Sequence, residues 1–344
     1  MTQNDTRTQA QNGTHMRIFL TGGSGFIGSR LAPLAAQSGH SVTVVTTINT
    51  PAEQARCDAL AKAGIRLVIA PLEDSAVLAR ELQGHDVVIH LAAAQHEAQA
   101  PESHFHKVNV EGTRNLLDLA AKAGVRRFVH GSTIGVYGSA AAGSLDEQSP
   151  LAPDNPYGRT KAAAEQVVAK FNSPMEWTIV RISETYGPGD MRLLKLFRGI
   201  KKGRYLTVGN GENLHQLIYV DDLSRGLLAA CTAPAAVRQT VVLAGSETIT
   251  TNDMVAAISE AVGNKKRIMH SPMWPFVTAA FLFESTFSPL GLKPPLHRRR
   301  LDFFRKSFSF SNAKAEQTLS FRPQVGFRAG ARQTAQWYQA NGYL

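Results

Sequence analysis

Arg17-Ile-Phe-Leu-Thr-Gly-Gly-Ser-Gly-Phe-Ile-Gly28 is the stretch whose reading decides the fold. Its first five residues form a mostly apolar run of strand length, and Gly22, Gly25 and Gly28 follow at three-residue spacing, opening a helix-like segment from Gly25 to Ser38. Glycine in these places lets the backbone turn tightly, approach a ligand closely and pack a helix on a sheet, while the helix N-terminus attracts an anion. Glycine-rich turns are common, but one that follows a strand and opens a helix is the expected seat of a dinucleotide pyrophosphate.

Outward from this unit, short apolar runs alternate with helix-like segments. Strands are predicted over Arg17 to Thr21, Ser41 to Thr46, Ile65 to Ala70, Val87 to Leu91, Arg127 to Gly131 and Trp177 to Ile182. Between them, Gly25 to Ser38, Ala52 to Ala63, Ser103 to Ala123 and Pro156 to Phe171 read as helices. Gly39, Gly64 and Gly124 each stand just past a helix and before a strand, where a left-handed residue ends the helix. The pattern predicts an α/β fold, a doubly wound parallel Rossmann sheet with a smaller C-terminal substrate-binding lobe. Residues 1–15 are polar and are expected to be a disordered tail, with folding from Met16. Residues 16–186 form mainly the dinucleotide-binding domain, and 187–344 mainly the substrate lobe, with some segments returning to the sheet.

The 344 residues suffice for one or two domains. Cys57 and Cys231 lie far apart without a CxxC or histidine-rich partner, which argues against a disulfide framework or zinc site and for a reduced, cytoplasmic setting. Lys and Arg number 37 against 27 Asp and Glu, a net charge of +10, with basic groups at Lys265-Lys266-Arg267, Arg298-Arg299-Arg300 and Arg305-Lys306. No nucleic-acid motif accompanies the charge, so nucleic acid is not an expected partner; a membrane-surface contact through the basic C-terminal lobe and a homodimer are both open. The apolar stretch Pro272 to Leu292 holds Glu284 and three prolines, and reads as a lobe helix or lid rather than a membrane span.

Two further patterns carry chemistry. The second strand ends in Val44-Val45-Thr46-Thr47, with no carboxylate to repel a ribose 2′-phosphate; Thr46 and Thr47 offer hydroxyls, and no adjacent arginine grips one, so the cofactor is NAD(P) with NADP slightly favoured over NAD. In Asn155-Pro156-Tyr157-Gly-Arg-Thr-Lys161, Asn155 caps a helix, Pro156 suits its first position, and Tyr157 and Lys161 share a face at i, i+4. A phenol ionises near pH 10, so to act as a base at neutral pH it needs nearby positive charge, which the Lys161 ammonium supplies. Thr133, in Gly131-Ser132-Thr133 at a strand end, can hold a substrate oxygen.

The chain resembles the extended short-chain dehydrogenase/reductases, also called the NAD-dependent epimerase/dehydratase family. The likeness rests on Thr21 to Gly28, His90-Leu-Ala-Ala93, Asn109-Val-Glu-Gly-Thr113, Gly131 to Thr133 with Val136-Tyr-Gly138, Tyr157 to Lys161, Tyr186-Gly-Pro188 and Tyr219-Val-Asp-Asp-Leu223. It implies a catalytic group of Thr133, Tyr157 and Lys161 with Asn109 close by. It implies a cofactor held by Gly22, Gly25, Phe26, Ile27 and Gly28 at the pyrophosphate, with Leu91, Ala92 and Ala93 on the adenine side and Leu72 also among the cofactor-binding residues, and it makes Asp222 structural.

Nucleotide-sugar members of this family commonly carry an Asn and an Arg where this chain has Glu184 and His215. A carboxylate repels a diphosphate, and a neutral histidine lacks the fixed charge and fork of arginine. Trp274, Phe276, Phe281, Phe283 and Phe287 form either the lobe's own core or an apolar substrate wall, in loose likeness to the 3β-hydroxysteroid dehydrogenase and dihydroflavonol reductase-like branch. Gln95 and His96 are candidates for the substrate pocket with Glu184 and His215; His96, His104 and His106 lack metal-ligand spacing, and no metal is expected. The expected activity is NAD(P)-dependent interconversion of a secondary alcohol and a ketone on a hydrophobic small molecule. A nucleotide-sugar 4-epimerase or dehydratase is the alternative, and a non-catalytic NAD(P)-binding sensor comes third.

Overall fold

A computed structural model of the chain describes residues 15–95, 100–138, 143–266, 269–287, 302–304 and 306–344. Outside them lie residues 1–14 of the expected tail, the pocket candidate His96, and the basic residues Arg267, Arg298 to Arg300 and Arg305.

Seven parallel strands form the central sheet, in the order Gln239–Leu243, Glu176–Ile182, Arg127–Thr133, Val87–His90, Arg17–Thr21, Ser41–Thr46, Arg66–Ile69. Six match predicted strands. The seventh, Gln239–Leu243, comes from the irregular second half and pairs with Glu176–Ile182 from Gln239↔Thr178 to Leu243↔Ile182. The alternation of strand side chains divides two cores between the faces. Ile18, Leu20, Val44, Ile89, Val129, Val180 and Val241 meet Leu31 and Ala35 of helix Phe26–Gln37 and Leu223 and Leu227 of helix Val220–Thr232. Phe19, Val45, Val88, Phe128 and Ile179 meet Leu78, Leu116, Leu117 and Val168 on the other face. Each such buried aliphatic or aromatic side chain contributes about 1.5–3 kcal/mol. Gly39, Gly64 and Gly124 have φ of +87°, +77° and +76°, as their places after helices require.

The predicted helix from Ser103 to Ala123 is one run in three parts: α-helix Glu102–His106, π-helical Lys107–Glu111 and α-helix Gly112–Lys122. In the lobe, helices Leu194–Lys201, Thr251–Ala261 and Phe327–Ala340 close on Tyr186, Phe197, Met254, Ile258, Phe327 and Tyr338. Asp222 is fully buried, accepts from the amides of Gln324 (3.0 Å) and Val325 (2.9 Å), and pairs with Arg225, so it ties the C-terminal segment down.

Part of the aromatic segment departs from both expectations. Trp274–Phe287 is helical, but only Ala280 on it is buried, and Trp274 and Phe281 are 71% and 54% exposed, so neither belongs to the lobe core. Among the described residues no helix is long and apolar enough to cross a membrane.

Candidate active site

The sheet order reverses between Arg17–Thr21 and Val87–His90, and beyond the carboxyl ends of strands at such a point an α/β sheet places its ligand crevice. A Cβ added to Gly22 would stand 2.6 Å from the Ala92 nitrogen, and one on Gly28 2.5 Å from the Gly22 oxygen. Only glycine permits this closure of turn, helix and neighbouring loop. Helix Phe26–Gln37 opens at Gly25 with neither a side-chain cap nor an acidic residue in its first turn. An uncapped helix N-terminus in a glycine cradle fits the pyrophosphate of a nicotinamide dinucleotide.

Thr21 links this turn to the strand beside it. Its hydroxyl bonds His90 Nδ1 at 2.7 Å and receives the Ala92 amide at 3.2 Å, holding Leu91, Ala92 and Ala93 partly open to the crevice. Leu72 is 7% exposed and packs in the core. Thr46 is not the free hydroxyl its sequence position suggests: it is buried, and its Oγ1 lies 2.6 Å from Ser24 Oγ, fastening the glycine turn to the second strand. Thr47 is exposed beside it. The arginine that the local sequence lacks there arrives from helix Pro51–Lys62: Arg56 donates to the carbonyls of Ser24 (3.2 Å) and Gly189 (3.3 Å).

Tyr157 and Lys161 occupy helix Pro156–Ala169, whose N-cap Asn155 accepts from the Gly158 amide at 2.9 Å. The Thr133 side chain stands by the Tyr157 hydroxyl. The residue is partly exposed, while burial around the hydroxyl pushes its pKa up to about 12, against the opposing effects of Thr133 and the Arg192 charge. The cation acting on the phenol is therefore Arg192. Lys161 is 2% exposed, lies 3.4 Å from His130 Nε2, and is lowered to about 8 by burial, with Glu165 pulling the other way.

Adjacent residues of one strand divide the support. Thr133 stands by Tyr157, and Ser132 donates to Glu165 Oε1, two turns further along the same helix, at 2.5 Å. Glu165 pairs with Arg181 at 2.8 Å, and Arg181 donates to the Tyr137 hydroxyl at 2.9 Å, which makes a buried network under the helix that carries Tyr157 and Lys161. Asn109, in the π-helical turn, commits both amide hydrogens, to the Ala94 carbonyl (3.0 Å) and Thr160 Oγ1 (3.0 Å), and accepts from the Ala94 amide (2.8 Å). It braces the crevice loop against the tyrosine helix.

Glu184 and His215 are brought together. His215 Nδ1 lies 3.4 Å from Glu184 Oε2. His215 Nε2 lies 3.0 Å from both the Asn213 amide nitrogen and Thr251 Oγ1, which fixes the ring with Nδ1 toward Glu184. The Glu184 side chain is 43% exposed; desolvation opposes its charge, but His215 and Arg192 outweigh it and hold the carboxyl below its usual range. Phe303 packs on the imidazole with ring centroids 4.8 Å apart. Gln95 is exposed at the end of the loop that Asn109 braces.

Arg192 is the residue the sequence reading missed. It lies 5.7 Å from the Phe26 ring centroid, bonds Asp190 at 3.0 Å and the Thr185 carbonyl, and its charge reaches both Tyr157 and Glu184. It therefore joins the glycine turn, the catalytic candidate and the pocket pair.

With the geometry in hand, comparison with known proteins gives one consistent picture. The model of the NAD dependent epimerase/dehydratase family matches residues 18–245. The chain is 28% identical over 342 residues to a dTDP-glucose 4,6-dehydratase of Streptomyces niveus, covering 95% of this chain and 94% of the relative. It is 29% identical over 324 residues to the 4-hydroxy-2-methyl-3-oxo-4-farnesyl-3,4-dihydroquinoline-1-oxide ketoreductase of Stigmatella aurantiaca, covering 92% and 94%. The crystal structure of DesIV, a dTDP-glucose 4,6-dehydratase from Streptomyces venezuelae with NAD and TYD bound, superposes with a TM-score of 0.74 at 29% identity, covering 95% and 98% of the two chains. The chain belongs to the NAD dependent epimerase/dehydratase family and is an NAD-dependent oxidoreductase of the extended short-chain dehydrogenase/reductase class.

Proposed function

We propose that this enzyme interconverts a ketone and a secondary alcohol on a hydrophobic small molecule, with Tyr157 as the proton donor and acceptor. The observation that carries the reading is the Tyr157 hydroxyl beside Thr133, one helical turn from the buried Lys161. A bound nicotinamide supplies or accepts the hydride. Gly22, Gly25, Phe26, Ile27 and Gly28 would hold the pyrophosphate, Leu91, Ala92 and Ala93 the adenine side, the exposed Thr47 the ribose edge, and Lys161 the nicotinamide ribose, whereas Leu72 is taken up by the core and the Thr46 hydroxyl by Ser24. With its pKa raised to about 12, Tyr157 carries its proton at neutral pH and is ready to donate it to a carbonyl oxygen that the Thr133 hydroxyl orients. Alcohol oxidation is the harder direction, since the phenol must first ionise. Asn109 acts through position, by fixing the loop against the tyrosine helix.

The Glu184–His215 pair supports an uncharged substrate, because its open carboxylate repels a diphosphate and its histidine already faces that carboxylate. Similarity to a ketoreductase named for a farnesylated substrate agrees with this. Similarity to dTDP-glucose 4,6-dehydratases favours the second reading, a nucleotide-sugar epimerase or dehydratase. Against dehydration, the turn after Thr133 offers Ile134 and Gly135, neither able to move the additional protons an elimination requires. Arg56 beside Thr46 supports NADP ahead of NAD.

Incubating the enzyme with isoprenoid, steroid and aryl ketones, and separately with dTDP- and UDP-sugars, tests the reading when nicotinamide absorbance and products are followed together. Net oxidation of NADPH matched by alcohol formation from an apolar ketone is expected. Conversion of a nucleotide sugar with no net change in nicotinamide would reverse the two readings.

A further inference from the structure

We infer that helix Trp274–Phe287 and the basic patch beside it form a docking surface for an anionic lipid bilayer. This surface stands apart from the reaction proposed above and does not depend on it.

The helix is built for an interface. Over its 14 residues the only charged side chain is Glu284, and its exposed positions are Trp274, Thr278, Phe281, Leu282, Ser285 and Thr286, which recur at helical spacing along one face. Trp274, Phe281 and Leu282 on that face are 71%, 54% and 56% exposed. Water around three large apolar side chains on one helix is costly, and a tryptophan at a helix end suits the boundary between headgroups and acyl chains. The helix is too short to span, so it would lie in the plane of the surface.

Charge complementarity decides which surface. Strand Met269–Ser271, which leads into the helix, pairs in parallel with Leu206–Val208. Lys201, Lys202 and Arg204 precede one strand, and Lys265 and Lys266 precede the other; all five are exposed. Lys266 lies against Gly203, where an added Cβ would stand 2.6 Å from its Cδ, so the two groups form one patch. Among the described residues none of the five pairs with a carboxylate. Met269, 68% exposed, lies on the short strand between patch and helix. An apolar helical face joined to clustered lysine and arginine is the chemistry that partitions onto acidic lipid headgroups.

Vesicle flotation of the full chain tests this, using phosphatidylcholine alone and phosphatidylcholine with about 30% phosphatidylglycerol. Binding to the anionic vesicles, weakened by high salt, is expected. Both Phe281→Ser with Leu282→Ser and Lys265→Glu with Lys266→Glu should lower it by about tenfold or more, with unchanged thermal melting as the check on folding. Trp274→Phe should retain binding but lose the quenching of tryptophan emission by brominated lipid. Absence of binding to anionic vesicles overturns the inference, as does equal, salt-independent binding to both vesicle types. A concentration-dependent dimer that Phe281→Ser with Leu282→Ser dissolves, without vesicle binding, would assign the face to a second copy of the chain and overturn it as well.

Discussion

Arg192 shows what a single residue adds to a site whose other members share a motif. The Tyr157–Lys161 spacing is readable because both stand on one helix, and Glu165 extends the same stripe by one more turn. Arg192 has no such relation to Tyr157; it is placed by its bonds to Asp190 and the Thr185 carbonyl in an irregular segment. A cation stabilises a phenolate, so removing Arg192 raises the Tyr157 pKa further. Arg192→Leu is therefore expected to move the rising limb of alcohol oxidation to higher pH by about one unit, while ketone reduction at neutral pH, which uses the protonated phenol, changes little. Arg192→Lys should restore the limb, which separates charge from lost packing. A limb that stays in place or moves to lower pH in Arg192→Leu contradicts the role.

Among the elements, the glycine turn was the most legible and its surroundings the least. Three glycines between a strand and a helix have few other uses, and the structure shows the close approaches that demand them at Gly22 and Gly28. The hydroxyl of Thr46 looked available in sequence, yet it is taken up by Ser24 of that same turn, a contact between segments that no local pattern announces. Likewise, Arg56 reaches the turn from the following helix. The π-helical turn at Lys107–Glu111 was also hidden, since the apolar pattern runs on through the extra residue that lets Asn109 reach Ala94 and Thr160. If Arg56 supplies the positive charge at the ribose edge, then Arg56→Ala should lower the ratio of NADP to NAD affinity by about tenfold. Titration of both cofactors by fluorescence quenching measures the ratio, and an equal loss for both would leave Arg56 as a brace of the turn alone.

At the scale of the molecule, the repeated strand–helix unit made the sheet readable through Ile182, because each unit carries its own periodicity and its own terminating glycine. Gln239–Leu243 was missed: its run Val241-Val242-Leu243 is short, and its place is set by pairing with residues far earlier in the chain. The lobe's small sheets escape for the same reason, as in Leu214↔Thr250 and Ser309↔Ser144, where two-residue strands hold no pattern. Yet these segments place Glu184 and His215 opposite one another and so shape the substrate reading. Fold and reaction class thus follow from local patterns, whereas substrate class depends on contacts made only in the folded lobe. Hydride transfer coupled to proton donation by Tyr157 is the central claim, and single-turnover transfer of deuterium from NADPH labelled at C4 to an accepted ketone tests it most directly, in the native enzyme and in Tyr157→Phe. The account predicts deuterium on the carbinol carbon with the native enzyme, and undiminished NADPH binding without transfer in Tyr157→Phe; transfer by that variant at an undiminished rate would contradict it.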